Sequence, residues 1–217
     1  MTEFATARRH MVDGQVRTAD VTDLRLLSAM LQTPRERFVP PAAAGLAYLD
    51  LDLPVGDEGS RRLLKPMVLA KLIQAADLPQ AGCVLDVGCA TGYGAAVLAH
   101  VTGQVIALEQ DAALAQAART ALAAQPNVTV VSGPLTAGWP QGSPYDAIVL
   151  EGATEGPPDA FLSQLKEGGR LVCVLGTGPG SKAMLYCRSG DELGGRPIFD
   201  ATAPVLPGFA KAAVFAF

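Results

Sequence analysis

From Cys83 onward the chain alternates two kinds of segment, and this alternation limits the possible folds more than any single motif does. CVLDVG (83–88), QVIALEQ (104–110), NVTVVSG (127–133), YDAIVLEG (145–152) and GRLVCVLG (169–176) are short, β-rich apolar runs with little polar alternation. YGAAVLAHVT, DAALAQAARTALAAQ and PPDAFLSQLKEG lie between them and carry helix periodicity. Strands of this kind, separated by helices, predict a parallel sheet covered on both faces. AMLYCR (183–188) and KAAVFAF (211–217) are expected to add a terminal, partly antiparallel pair, and the stretches 176–181 and 190–195 read as loops. Upstream, TDLRLLSAMLQTP reads as a helix with a cap-like Thr22 that stops before Pro34. KPMVLAKLIQAADLP reads as a second helix, with Pro66 in its first turn and Pro79 beyond its end. The expected class is α/β: a doubly wound, mostly parallel seven-stranded sheet with a helical N-terminal extension. One domain is expected over 1–217, with 1–65 as the extension and 66–217 as the α/β core.

Composition removes several function classes. A chain of 217 residues that is 49% hydrophobic and 18% charged is able to bury a core and does not read as disordered. No apolar run approaches the ~20 residues of a membrane span, and the polar N-terminus lacks a signal-peptide core, so a cytoplasmic location with no membrane partner is the default expectation. A net charge of -4 argues against a nucleic-acid partner. Arg61, Arg62 and Lys65 form the densest basic cluster and read as a solvated loop. Cys83, Cys89, Cys173 and Cys187 form no CxxC, so neither a disulfide framework nor a zinc site is expected. With only His10 and His100 present, catalysis by an imidazole base is poorly supplied.

LDVGCATGYG (85–94) carries the strongest chemical signal. A buried strand ends in an acid and runs straight into small residues. Gly88 permits a tight turn, and Ala90 and Gly92 keep bulk away from whatever lies across it. A dinucleotide fingerprint would need a third glycine where Tyr93 stands, and a Walker loop would need a lysine that is missing. Asp86, two residues before the first glycine, repels a pyrophosphate and welcomes a cation. Glu109 ends the next strand, roughly 20 residues on, where an acid accepts both hydroxyls of a ribose. Adenosine with a cationic tail describes S-adenosylmethionine.

With these residues in view, the chain resembles the class I S-adenosylmethionine methyltransferases, and within them the protein-L-isoaspartate O-methyltransferases. MVDGQVR (11–17), AMLQTPRERFVP (30–40), AYLDLDLPVG (47–56), VLDVGCATGYGAAVLA (84–99), GWP (138–140), YDAIVLEGAT (145–154) and LSQLKEGGRLVCVLG (162–176) carry the resemblance in order. It implies methyl transfer to the free carboxylate of isoaspartyl residues in damaged proteins, a repair reaction with S-adenosylmethionine as cofactor and no metal. An ionised carboxylate needs no base, so such an enzyme mainly aligns the reacting atoms and excludes water. The resemblance places Asp86, Gly88, Cys89, Ala90, Gly92, Glu109, Gln110, Pro134, Leu135 and Glu151 against the cofactor.

The chain departs from the family in two places. Leu64 stands where the family's serine lies near the substrate carboxylate, in a loop longer than the family's. Losing such a hydrogen bond costs about 0.5–1.5 kcal/mol. Two substitutes are open: Ser60 reaching in from the longer loop, or Arg61 or Arg62 gripping the carboxylate bidentately, the route favoured here. Pro134 replaces the aspartate that reaches the adenine amino group, which leaves recognition to neighbours such as the Leu135 backbone. Glu151 faces the cofactor cleft and either serves the cationic amino group or is solvated. Leu64 and Pro134 favour a catalytically degenerate binding or regulatory relative, or another methyl acceptor. Asp86, Gly88, Gly92 and Glu109 favour the enzyme.

Overall fold

The computed structural model describes residues 3–57 and 61–211. The chain opens with α1 (Glu3–Met11), which runs on through a π-turn at Val12–Val16, and then α2 (Leu24–Gln32). Asp23, not Thr22, caps α2: its carboxylate accepts from the backbone N–H of Arg25 at 2.8 Å and of Leu26 at 3.4 Å. The backbone N–H groups of Thr22 and Asp23 both donate to Gln74 Oε1, at 2.7 and 3.0 Å. A short antiparallel hairpin follows, β1 (Leu53–Val55) against β2 (Arg61–Leu63), with Val55 opposite Arg61. Period 2 turns Arg61 and Leu63 inward and Arg62 outward.

The main sheet contains β3 (Cys83–Val87), β4 (Gln104–Glu109), β5 (Val128–Ser132), β6 (Tyr145–Thr154), β7 (Leu165–Leu175), β8 (Lys182–Ser189) and β9 (Glu192–Asp200), in the order β5-β4-β3-β6-β7-β8-β9. The first five strands run parallel and the last two antiparallel. From central β3 the chain winds out to β5, returns, and winds out through β6 to the other edge. The topological switch therefore lies at the carboxyl ends of β3 and β6, where open α/β sheets bind ligands.

The two faces of the sheet are covered differently. Val84, Val105, Ala107, Val149 and Val172 face a core shared with α1, α2, α3 (Pro66–Ala76), α4 (Tyr93–Leu98) and α5 (Ala112–Ala121). Their alternates Leu85, Val87, Leu108, Ile148, Leu150 and Leu171 face a second core, closed by Leu135, Phe161 and Leu206 from turns and irregular chain. The helix expected over 157–168 is instead a 3-10 segment, Asp159–Gln164, and β7 begins at Leu165. Pro157 and Pro158 ahead of it and Gly168 behind leave too few residues to offset helix nucleation.

A second difference lies at the edge. β8 occupies the predicted AMLYCR, but its partner is β9, which runs through the 190–195 stretch read as a loop. Glycine and proline weaken an interior strand but are tolerated at an edge, and β9 holds Gly194, Gly195 and Pro197 there. Gly195 lies directly beneath the Tyr186 ring, where a Cβ would collide with it. In the KAAVFAF stretch, expected as the other half of this pair, residues 212–217 lie outside the described residues.

Candidate functional site

At the end of β3 the chain turns through three residues of positive φ, Gly88 (80°), Ala90 (49°) and Gly92 (94°). The N–H groups of Gly88 and Cys89 donate to the Leu108 carbonyl at 2.8 and 3.2 Å, and Gly92 N–H donates to Cys89 O at 2.7 Å. This wiring fastens the turn to the end of β4. Ala90 holds the left-handed conformation with a side chain, which costs energy. It is held there by its own N–H, which donates to Glu109 Oε2 at 2.8 Å. Glu109 also accepts from the N–H groups of Gln110 (2.9 Å) and Asp111 (3.1 Å) through Oε1. A strand-end glutamate thereby ties the glycine turn to the start of α5.

Asp86, Glu109 and Glu151 come together at the ends of β3, β4 and β6, all buried. Both Asp86 oxygens and Glu151 Oε1 lack a hydrogen-bond partner among the described residues. Burial pushes the Asp86 carboxyl up to about 7; the charge of Glu109 adds to the rise, while the Glu151 carboxyl and Arg61 oppose it. Burial also holds Glu151 well above the carboxylate range, with the charge of Asp86 next in effect. Burial and repulsion from a neighbouring acid therefore act on both carboxyls in the same direction, toward the protonated form. The Glu151 carboxylate packs against α4 at Gly94, where any Cβ would overlap it.

The fourth charged group is Arg61. It is 5% exposed, contrary to its reading as part of a solvated basic loop. Its Nη2 donates to the Gly88 carbonyl at 2.8 Å and to Glu109 Oε2 at 3.1 Å. Its Nε is buried without a partner among the described residues. Arg62, the next residue, is exposed and donates to the Asp52 carbonyl at 3.0 Å. Leu206 lies beside the Arg61 guanidinium. A Cβ built on Gly88 would sit 2.8 Å from Arg61 Nη2 and 2.9 Å from Leu206 Cδ2. Leu206 arrives on a segment laced to β6 and its extension, with Ala153 N–H to Pro204 O (2.8 Å), Leu206 N–H to Ala153 O (2.9 Å) and Glu155 N–H to Phe209 O (3.0 Å). Stacking of Phe209 on Phe161 at 6.2 Å secures it further.

A parallel sheet of this order, with an acid-flanked left-handed turn at the switch point, can be compared with known proteins. The sequence profile described as Protein-L-isoaspartate(D-aspartate) O-methyltransferase (PCMT) matches residues 6–195. The chain belongs to the protein-L-isoaspartate O-methyltransferase family. It is 43% identical over 182 residues to the protein-L-isoaspartate O-methyltransferase of Methylorubrum extorquens (strain PA1), covering 83% of this chain and 78% of that one. It is 40% identical to that of Methylorubrum populi, covering 88% and 89%. A solved protein-L-isoaspartate O-methyltransferase superposes with a TM-score of 0.80 at 26% identity over 93% of this chain, which spans 66% of that protein's length. The fold is also that of a Plasmodium falciparum protein solved in complex with S-adenosyl-L-homocysteine, with a TM-score of 0.76 at 15% identity over 92% of this chain.

The predicted cofactor residues divide into three groups within this family fold. Asp86, Gly88, Cys89, Ala90, Glu109 and Glu151 converge on one buried crevice, with the Leu135 side chain packed over Gly88, whereas the bare face of Gly92 is filled by Leu122 and Ala118 on the α5 side. Gln110 and Pro134 are exposed beyond it. Leu64, expected at the family's serine position, is fully buried in the helix-face core, and its carbonyl accepts from Arg35 Nη2 at 2.8 Å. Ser60 lies outside the described residues. Arg61 does not extend toward an incoming substrate but points down onto Glu109.

Sequence reasoning missed two residues of the site. Arg35, within the quoted RERFVP, is fully buried, lies 4.5 Å from the Tyr93 ring centre and ties Leu64 to Ala47. Leu206 follows Pro204 in a stretch with no periodicity, so nothing local marked it.

The donor chemistry is compatible with a cationic nucleoside: buried carboxylate oxygens without a partner among the described residues are able to take a cation, and a strand-end acid is able to accept from hydroxyls. The space does not suit it as it stands. The crevice residues are covered by Arg61, Leu206 and Leu135, whereas a preformed site would leave them open. An open cavity of 310 Å³ borders the turn at Thr91, between Phe38, Val55 and Leu114, but none of the three acids lines it.

Proposed function

We propose that this chain catalyses S-adenosylmethionine-dependent methyl transfer to the free carboxylate of L-isoaspartyl residues in proteins, in a form of the crevice wider than the one described above. The observation that carries this reading is the trio Asp86, Glu109 and Glu151 around a left-handed turn, with carboxylate oxygens that have no partner. When bound, S-adenosylmethionine supplies an electrophilic methyl group. Asp86 and Glu151 would hold its amino group, Glu109 its ribose, and the bare backbone at Gly88 would admit it closely. The acceptor is already a nucleophile, so the chain's remaining work is alignment and exclusion of water. Family membership and relatives named for this reaction, 40–43% identical over most of their length, support the same reading.

A second reading, a binding relative without turnover, is favoured by one specific observation: Leu64 at the serine position points into the core and offers no polar atom to a substrate. Calorimetric titration with S-adenosylmethionine, followed by methyl-label transfer to an isoaspartyl peptide and its aspartyl twin, separates the two. Label on the isoaspartyl peptide alone supports the enzyme. Binding without label supports the second reading. Absence of binding overturns both.

A further inference from the structure

We propose that the Arg61 side chain is an internal occupant of the ligand crevice, seated with Leu206 where a cationic nucleoside must lie, so that ligand enters only by displacing it. This rests on the reading that the crevice is the ligand site.

The guanidinium meets the two groups a nucleoside would need, the Glu109 carboxylate and the side-chain-free face of Gly88. Glu109 Oε2 already accepts from Ala90 N–H and Arg61 Nη2, and Oε1 from two backbone donors. A ribose hydroxyl cannot gain Glu109 until Arg61 leaves. Leu206 and Arg61 both stand within 3 Å of a Cβ position on Gly88, so the space that the glycine opens is filled by protein. Arg61 is no accident of a loose surface chain, because the β1–β2 register aims it inward while its neighbour Arg62 points out.

The seat is also an imperfect one. Among the described residues Arg61 donates through Nη2, and its buried Nε has no acceptor there. Among the described residues the oxygens of Asp86 and one of Glu151 stay without a donor, so the crevice has anionic capacity that Arg61 does not use. A buried cation that leaves such groups unsatisfied is a displaceable occupant, not an optimised core pair. A ligand carrying its own cation, able to reach Asp86 and Glu151 as well, competes on better terms.

Two measurements test this. The first needs no ligand: labelling with a small neutral disulfide reagent, read peptide by peptide. Cys89, buried in the turn directly after Gly88, is expected to be protected in the unaltered protein and to open in Arg61→Met and in Leu206→Ala. Cys173, buried in β7, stays protected and reports that the fold is intact, while exposed Cys187 reports reagent activity. Cys89 protected in both variants overturns the proposal. If one variant also exposes Cys173, the other decides. The second is calorimetric titration with S-adenosylmethionine. Removing an occupant that keeps the open form to a tenth or less of the population should tighten apparent affinity by about tenfold or more in Arg61→Met. Affinity unchanged or weakened overturns displacement. If neither protein binds while Cys89 opens, Arg61 stands as the occupant and it is the methyltransferase reading that falls.

Discussion

The floor and the cover of the crevice obey different rules. The floor, β3, β4 and the turn between 88 and 92, is built from backbone hydrogen bonds and one glutamate, and each of its special residues is required by the local conformation. The cover, the β1–β2 hairpin and the segment around Leu206, is joined to it by side chains brought from 27 to 118 positions away, Arg61 and Leu206 measured from Gly88. The difference teaches that a ligand-shaped floor does not make an open site. A floor of the expected chemistry can be sealed by two side chains that belong to neither of its strands.

The largest test of this contrast removes the joint between them. Glu109→Ala strands the Arg61 charge and frees three backbone donors, and breaking a buried pair in this way costs about 3–5 kcal/mol, read by urea unfolding. A loss below about 1 kcal/mol, the size of an exposed pair, would mean that the cover is not seated on the floor. Gly152→Ala is next. Its Cβ would meet Leu206 Cγ at 2.6 Å and the Pro204 carbonyl at 2.9 Å, so overpacking of about 1–3 kcal/mol is expected, together with faster amide exchange at Leu206. Gly156→Ala, with its nearest neighbour at 4.0 Å, serves as the matched control and should leave that amide unchanged.

Titration sharpens the contrast further. Folding raises Asp86 to about 7, so the native state keeps a proton that the unfolded chain releases near pH 4. Its stabilising contribution is complete below the unfolded value and is lost as pH climbs through about 7, with Glu151 acting in the same direction. The unfolding free energy is expected to fall with rising pH by up to about 1.4 kcal/mol per unit for each such proton, and Asp86→Asn should flatten the slope. A wild-type profile already flat between pH 5 and about pH 7 would contradict the buried acid pair. The smallest effect belongs to Arg62→Ala. Exposed, with one contact to the Asp52 carbonyl, it should stay within about 0.5 kcal/mol of wild type, against a large change at Arg61 one position earlier.

Much of the floor was legible in the sequence because its signals are local. Apolar runs marked β3, β4, β5 and β6, the glycines marked the turn, and an acid at each strand end marked the charge. The 157–168 segment and β9 were not legible for a local reason of their own: prolines and glycines countered the periodicity, and only the neighbouring strand and an edge position decided what formed. The α2 cap fell on Asp23, one residue after Thr22, within the usual uncertainty of a helix boundary read from sequence.

By itself, the sequence determined the parallel sheet, the place of the switch point and the anionic character of the crevice, because strand propensity, glycine freedom and charge act over a few residues. Tertiary structure alone decided that Arg61 is buried while Arg62 is not, that Leu64 faces the core, and that Leu206 lies over Gly88. Those outcomes depend on hairpin register and on a distant segment crossing the strand ends, and neither is encoded within a helix turn or a strand's length of the residues concerned.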